Sequence, residues 1–160
     1  MIEAGKVRRF HIVPLINHYD VAQHSWGMAI LLQMLHPDPS IDLTWAVLSH
    51  DIHERYTGDV PYTAKLMSPD LKAGLSLMER SVENQLGIRM ELTEEEAAWL
   101  KALDMLELFL FCDHEYNMGN RNVEAPRDVC RKYLLDTNGV PDEVRGFIDQ
   151  YEWRRTPDVI

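Results

Sequence analysis

The chain has 160 residues, of which 46% are hydrophobic and 26% charged, a composition that predicts one compact globular domain over residues 1–160. Its 26 acidic and 16 basic side chains leave a formal charge of −10. This charge argues against a nucleic-acid polymer as partner, because a protein surface that binds nucleic acid needs basic residues to neutralise the phosphates. No apolar run approaches the ~18 residues of a membrane span, and residues 1–10 contain no apolar signal core. We therefore expect a cytoplasmic protein without membrane association. Two cysteines, Cys112 and Cys130, are too few for a disulfide framework and are expected to be buried.

Helical periodicity dominates the chain, and no alternating apolar run of strand length is found. Asp20 and Thr93 are expected N-caps, Ser68 precedes a proline at the first helical position, and Gly87 is expected to end a helix. The predicted helices cover residues 20–35, 40–55, 68–87, 93 to about 118, 125–135 and 141–154, with a short segment at 61–66 after a turn at 57–59. The residues expected near one apolar face of the second helix are Ile41, Trp45, Leu48 and Ile52. These patterns predict an all-α, compact, single-domain helical bundle.

The most informative stretch is residues 50–59, HDIHERYTGD. His50 and Asp51 lie together near a helix end and could bind one metal ion through an imidazole nitrogen and a carboxylate oxygen. Such pairs are common by chance, so two further positions matter. His24 lies near the start of the first helix, and Asp104 has apolar neighbours in the longest helix, where a buried carboxylate is costly unless paired or metal-bound. These four residues would form a mixed N and O set that suits divalent Zn, Co, Mn, Ni or Fe and leaves positions for water and substrate.

The same residues resemble a known family. His24, His50-Asp51 and Asp104 are similar to the ligand pattern of the HD-domain metal-dependent phosphohydrolases, an all-helical superfamily. Arg9-Phe10, Gln23-His24-Ser25 and the HDxxExxTGDxP run at residues 50–61 resemble its small deoxynucleotide-specific branch, which includes bacterial 5′-deoxynucleotidases and phage dATP triphosphohydrolases. The resemblance covers residues 9 to about 113. It implies that His24, His50, Asp51 and Asp104 bind one divalent ion (Zn, Co, Mn or similar), with room for a second such as Mg when a triphosphate is bound.

The resemblance also implies the substrate contacts. Arg9, Lys65 and Lys101 would bind phosphate oxygens, and the planar guanidinium of Arg9 suits that task. Phe10 stands where this branch usually has Trp, and its ring would pack against the sugar and exclude a 2′-hydroxyl. Ile12 would lie near the base.

Glu54 and Asp59 would supply the acid and the base by the same resemblance, since cleavage at O5′ needs an oriented water and a proton for the leaving alkoxide. Which of the two is acid and which is base stays open.

Three functions are compatible with this pattern. A triphosphohydrolase would release triphosphate from a deoxynucleoside triphosphate such as dATP, and is favoured by three cations and by the short spacing between Asp51 and Asp104. A 5′-deoxynucleotidase would release orthophosphate from a monophosphate. A non-catalytic module would bind a small deoxynucleotide without turning it over. The resemblance further implies a homo-oligomer, either a dimer or a hexamer.

Overall fold

The computed structural model describes residues 2–88 and 91–153, and within these ranges the chain is helical. Short 3-10 turns lie at Ile2–Lys6 and Arg121–Val123. The α-helices are α1 (Val21–Leu35), α2 (Ile41–Ser49), α3 (Glu54–Thr57), α4 (Tyr62–Met67), α5 (Pro69–Leu86), α6 (Glu94–Asn117), α7 (Glu124–Asp136) and α8 (Asp142–Trp153). The prediction of an all-α fold is confirmed, since these ranges contain no strand beyond an isolated bridge between Arg8 and Asp20. None of the helices in the described part is long and apolar enough to cross a bilayer.

Local signals place several helix ends where the sequence predicts them. The Asp20 carboxylate accepts a hydrogen bond from the backbone N–H of Gln23 at 2.9 Å and so caps α1. Thr93 and Glu96 form a reciprocal capping box at the start of α6. Gly87 ends α5 at φ 68°, a left-handed conformation that glycine adopts without steric cost. Residue 154, the predicted end of the last helix, lies outside the described residues.

The long helix α6 is the centre of the fold, and α1, α2, α7 and α8 pack around it. These helices share one cluster of buried apolar side chains. Full burial of each large apolar side chain contributes about 1.5–3 kcal/mol, so the many members of the cluster together fix α1 and α6 relative to each other. Both cysteines are buried and free, as predicted. Members of the cluster on α1, α2 and α6 include Met28, Leu31, Leu32, Leu43, Val47, Trp99, Leu103, Leu106 and Phe109.

The predicted end of the second helix is wrong. α2 ends at Ser49 and not at residue 55, because the backbone bonds that follow are largely of the i to i+3 type, including Ile52 N–H to Ser49 O at 2.9 Å and Glu54 N–H to Asp51 O at 3.0 Å. The side of α2 that carries most of the predicted apolar face is exposed, because the helix packs on α6 through Leu43 and Val47. Those exposed members are Ile41, Trp45 and Leu48.

The N-terminal segment is tied to the start of α1. The backbone N–H of Arg9 donates to Tyr19 O at 3.0 Å, and that of Val21 donates to Val7 O at 3.0 Å. The loop between them is fastened at its far end by Glu115 of α6, which accepts the backbone N–H groups of Ile16 and Asn17, both at 2.8 Å. These contacts hold the segment that carries Arg9 against the start of α1.

Candidate active site

Two histidines and one aspartate meet where the end of α2 faces the first turn of α1. His24, His50 and Asp51 each offer a ligand atom, and these atoms all lie within 4.8 Å of one another. Oδ2 of Asp51 is 3.3 Å from Nε2 of His50 and 3.8 Å from Nε2 of His24. The i to i+3 turn after Ser49 therefore brings the adjacent residues His50 and Asp51 to one site together with His24.

Asp104 approaches the same site from α6. Its Oδ1 is 3.4 Å from Nε2 of His24, and its Oδ2 accepts a hydrogen bond from Nζ of Lys101 at 2.8 Å. Burial alone would raise the pKa of Asp104, but His24 and Lys101 hold that pKa well below its usual range. All four residues predicted as metal ligands are thus close neighbours, and Asp104 carries a negative charge.

The donor atoms suit a divalent metal ion. Nε2 of His24 and Nε2 of His50 are buried and have no hydrogen-bond partner among the described residues, although unpaired buried polar atoms are costly. Imidazole nitrogens with carboxylate oxygens form the ligand set typical of Zn²⁺ and related ions. Burial lowers the pKa of His50, but the charge of Asp51 outweighs this effect and raises the pKa to about 9. A metal ion that takes His50 as a ligand would therefore displace a proton.

Glu107 and Tyr19 complete the surroundings of His24, and sequence reasoning did not find them. Nδ1 of His24 and the hydroxyl of Tyr19 both lie 2.5 Å from Oε2 of Glu107. Burial and the neighbouring Glu107 carboxylate raise the pKa of Tyr19 well above its usual value, so the hydroxyl keeps its proton and donates it. The signal in the sequence that could have found Glu107 is its spacing from Asp104. It follows Asp104 by three residues, so both side chains lie on the same side of α6.

Arg9 reaches into this group of carboxylates. Its guanidinium is nine-tenths buried, its Nη1 donates to Oδ2 of Asp51, and its Nη2 lies 3.9 Å from Oδ1 of Asp104. The Nε atom has no hydrogen-bond partner within the described ranges. A buried guanidinium offers planar N–H donors of the kind that bind carboxylate and phosphate oxygens.

Glu54 and Asp59 follow the ligand pair on α3 and the turn after it. Glu54 is only 4% exposed, and its Oε2 is buried without a hydrogen-bond partner among the described residues. Burial, with the charges of Asp51 and Asp59, raises the pKa of Glu54 to about 8. Asp59 accepts a hydrogen bond from the backbone N–H of Phe10 at 2.9 Å, so one of its oxygens holds the Arg9–Phe10 segment.

The remaining predicted substrate residues lie on the N-terminal loop and on α4. Phe10 has a φ of 55°, a left-handed conformation that is uncommon for a bulky residue, and its ring centroid is 6.3 Å from that of Tyr19. Ile12 lies on the same loop and is largely exposed. Lys65, on α4, is half-buried, and its charge lowers the pKa of Glu54, which places it within electrostatic reach of the site.

Beside these residues, a cleft of about 420 Å³ lies between the N-terminal segment and the turn before α4. It provides space for a small molecule next to Asp59. Its lining includes Val7, Arg8, His11, Gly58, Asp59 and Pro61.

A His–Asp pair at the end of a helix, joined by a second His and a second Asp in an all-α fold, defines a site of the HD-domain phosphohydrolase class. The sequence matches the model of the 5′-deoxynucleotidase YfbR-like family over residues 5–153, nearly the whole chain, and the protein therefore belongs to that family. It is a metal-dependent deoxynucleotide phosphohydrolase.

A solved structure shows the same fold. The HD phosphohydrolase DatZ of cyanophage S-2L, bound to dA and one catalytic Zn²⁺ ion, superposes with a TM-score of 0.70 at 22% sequence identity. The match covers 96% of this chain and 94% of that one, so the likeness extends over the whole fold. A search of curated proteins found no significant match.

Proposed function

We propose that this protein hydrolyses the bond between O5′ and phosphorus in a 2′-deoxyribonucleotide. One observation carries the proposal: ligand atoms of His24, His50 and Asp51 converge within 4.8 Å, and two buried imidazole nitrogens there lack a partner in the described part of the chain. Membership in the 5′-deoxynucleotidase YfbR-like family supports this reaction. So does the dA bound to DatZ, which has the same fold.

His24, His50, Asp51 and Asp104 would hold the divalent ion. When bound, such an ion lowers the pKa of a coordinated water and offsets negative charge on the phosphate. The chain itself contributes the geometry, because His24 and Asp104 come from two helices fixed by the central apolar cluster.

Arg9, Lys65 and Lys101 would bind the phosphate oxygens. They lie on the N-terminal segment, α4 and α6, and three cations from three elements could hold more than one phosphate. This spread favours a deoxynucleoside triphosphate, dATP first, as substrate and intact triphosphate as product. A second ion such as Mg²⁺ would then accompany the triphosphate.

A 5′-deoxynucleotidase acting on deoxynucleoside monophosphates is the second candidate. The family match favours it, because the family is described by that activity. The argument from three cations for a triphosphate is weaker if Lys101 stays paired with Asp104 at 2.8 Å, because its ammonium group then already has a carboxylate partner.

Glu54 and Asp59 would manage the protons of the reaction. In the metal-free protein the carboxyl group of Glu54 has a pKa of about 8 and is protonated near neutral pH, and such a group could donate its proton to the leaving O5′ alkoxide. Asp59 would orient a water or the nucleotide with one oxygen while the other holds the Phe10 amide.

Phe10 and Ile12 would select the nucleoside. The flat ring of Phe10 would pack against the deoxyribose and leave no room for a 2′-hydroxyl. Ile12, exposed on the same loop, would contact the base.

Product analysis by chromatography distinguishes the candidates. The purified protein is offered dATP and dAMP separately, with Zn²⁺, Co²⁺, Mn²⁺ or Mg²⁺. Deoxyadenosine and intact triphosphate from dATP would establish the triphosphohydrolase, whereas deoxyadenosine and orthophosphate from dAMP alone would establish the 5′-deoxynucleotidase. No turnover of either by a protein that holds metal would favour a nucleotide-binding module.

Replacement of Asp51 tests the proposed ligand set. Asp51→Ala removes the carboxylate that lies next to both His24 and His50. Metal content and turnover should therefore be lost together, with turnover down at least a hundredfold. Asp149→Ala, an exposed aspartate on α8, is the matched control and should keep both. Full activity in a metal-free Asp51→Ala protein would contradict the proposed site.

We also propose that the protein self-associates through one apolar surface. α1 and α2 both pack on α6, and their outward sides expose large apolar residues, which we call the α1–α2 face. Exposed tryptophans are typical of protein interfaces. The members of this face are Trp26, Ile30, Met34, Ile41, Trp45 and Leu48.

A further inference from the structure

The imidazole of His24 is held by a side chain to which no role has yet been given. Nδ1 of His24 donates a hydrogen bond to Oε2 of Glu107 at 2.5 Å, so the proton of a neutral ring lies on Nδ1. Nε2 then carries the lone pair, and it faces Asp104 at 3.4 Å and Asp51 at 3.8 Å. The ring is completely buried, so its orientation depends on this contact and on the packing around it.

Glu107 is itself held in one position. The Tyr19 hydroxyl donates to the same Oε2 at 2.5 Å and lies 3.2 Å from Nδ1 of His24, which closes a triangle of polar atoms. Space for the Glu107 side chain depends on Gly27 of α1. A Cβ at position 27 would lie 2.9 Å from Cγ and 3.1 Å from Oε1 of Glu107.

We propose that Glu107 is a positioning residue of the metal centre, which fixes the ring of His24 so that Nε2 points at the ion. Carboxylates that accept the second N–H of a ligating histidine set its tautomer and raise its basicity, and their loss weakens metal binding about 10- to 100-fold. The proposal also assigns a function to Gly27, a helix-interior glycine that leaves room for Glu107. It rests on the proposed metal centre.

The test measures metal affinity rather than turnover. Metal-free wild type, Glu107→Gln and Gly27→Ala are titrated with Zn²⁺ against a competing chelator, and with Co²⁺, whose visible spectrum reports its ligands. Glu107→Gln should bind Zn²⁺ about 10- to 100-fold more weakly and give an altered Co²⁺ spectrum. Gly27→Ala should shift both in the same direction, because its new methyl group displaces Glu107 without changing the chemistry of that residue.

Two further variants make the result decisive. Asp113→Asn also replaces a buried carboxylate of α6 by an amide, but the partners of Asp113 include Arg127, Tyr151 and Asn117 and none of the proposed metal ligands, so the metal affinity of this variant should stay within twofold of wild type. Wild-type affinity in both Glu107→Gln and Gly27→Ala, with metal binding lost in Asp51→Ala, would overturn the role of Glu107 alone. Wild-type affinity in Asp51→Ala as well would instead refute the metal centre. Circular dichroism of the metal-free proteins checks folding, and if Glu107→Gln does not fold, Gly27→Ala decides.

Discussion

Glu54 combines near-complete burial with two neighbouring carboxylates, and this combination makes its protonation state part of the folding equilibrium. Its pKa is about 8 in the folded protein, against an ordinary value of 4.5 in the unfolded chain. Between pH 4.5 and pH 8, the folded protein therefore keeps this proton while the unfolded chain has largely lost it. The stabilisation is complete below about pH 4.5 and is lost as the pH rises through 8.

This linkage predicts a pH-dependent difference between wild type and Glu54→Gln. In the metal-free wild type, the free energy of unfolding should fall with rising pH by up to about 1.4 kcal/mol per pH unit from this group, and Glu54→Gln should lack that contribution. Urea unfolding of both proteins between pH 5 and 9 measures it. His50, whose pKa is raised to about 9, adds a slope of the same sign in both proteins and cancels in the difference. Parallel curves for the two proteins would contradict the raised pKa.

Phe10 is the residue on which the proposed choice of sugar depends. Phe10→Ala should narrow the ratio of kcat/KM between a deoxynucleotide and its ribonucleotide by about tenfold, the order that one steric contact provides. Alanine at the left-handed φ of 55° has the same backbone strain as phenylalanine, so a change in the kcat/KM ratio comes from loss of the ring and not from the backbone. Phe10→Trp retains a flat ring and should preserve the ratio. An unchanged ratio in Phe10→Ala would show that the 2′ position is recognised elsewhere.

Among the elements, the loop that carries Arg9 and Phe10 depends on a residue far away in the sequence. Glu115 is fully buried at the end of α6 and accepts the amides of Ile16 and Asn17 and the side-chain amide of Asn120. Glu115 and its partners thereby hold the C-terminal half of the loop, while Asp59 holds its beginning at Phe10.

Removal of Glu115 should therefore destabilise the protein and loosen this loop. Glu115→Ala leaves several donors without a charged acceptor, and we expect a loss of about 2–4 kcal/mol in the free energy of unfolding. Glu143→Ala, at an exposed position of α8, should change it by less than about 0.5 kcal/mol. Urea denaturation of both variants and the wild type measures the effect, and equal stabilities would contradict the anchoring role.

At the scale of the whole molecule, the described residues include large exposed apolar side chains on the α1–α2 face. Trp26 is 67% exposed and Trp45 is 60% exposed, on two helices whose other sides pack on α6. α5 likewise packs mainly on α4 and has one buried residue, Val82, within the described chain. Its exposed apolar side chains provide a comparison surface for the test of self-association.

A charge on the α1–α2 face should prevent self-association. The wild type should sediment as the proposed dimer or hexamer and the double variant Trp26→Glu, Trp45→Glu as a monomer at the same concentration, because burial of an unpaired carboxylate in an interface is costly. Leu77→Glu, at an exposed position of α5, is the control and should keep the wild-type assembly. The opposite pattern would place the interface on α5, and a monomeric wild type would refute self-association.

Signals confined to a few consecutive residues determined much of this protein from the sequence alone. Helix caps at Asp20 and Thr93 and the stop at Gly87 act through hydrogen bonds and φ preferences within one turn, so they needed no tertiary context. The HDxxExxTGD run also indicated the class of enzyme, through its resemblance to the HD-domain phosphohydrolases, and the family match confirms that class.

Contacts between distant residues were decided only by the tertiary structure. α2 buries Leu43 and Val47 rather than Trp45 because α1 and α6 offer a partner on that side only, and its apolar positions alone did not distinguish the two faces. The contact between Glu107 and His24 spans 83 positions and depends on the space at Gly27, so the spacing of Glu107 from Asp104 alone did not reveal it. Local sequence signals thus predicted the helices and contained the motif. Packing between distant residues decided which helix faces are buried and how the proposed metal ligands are held.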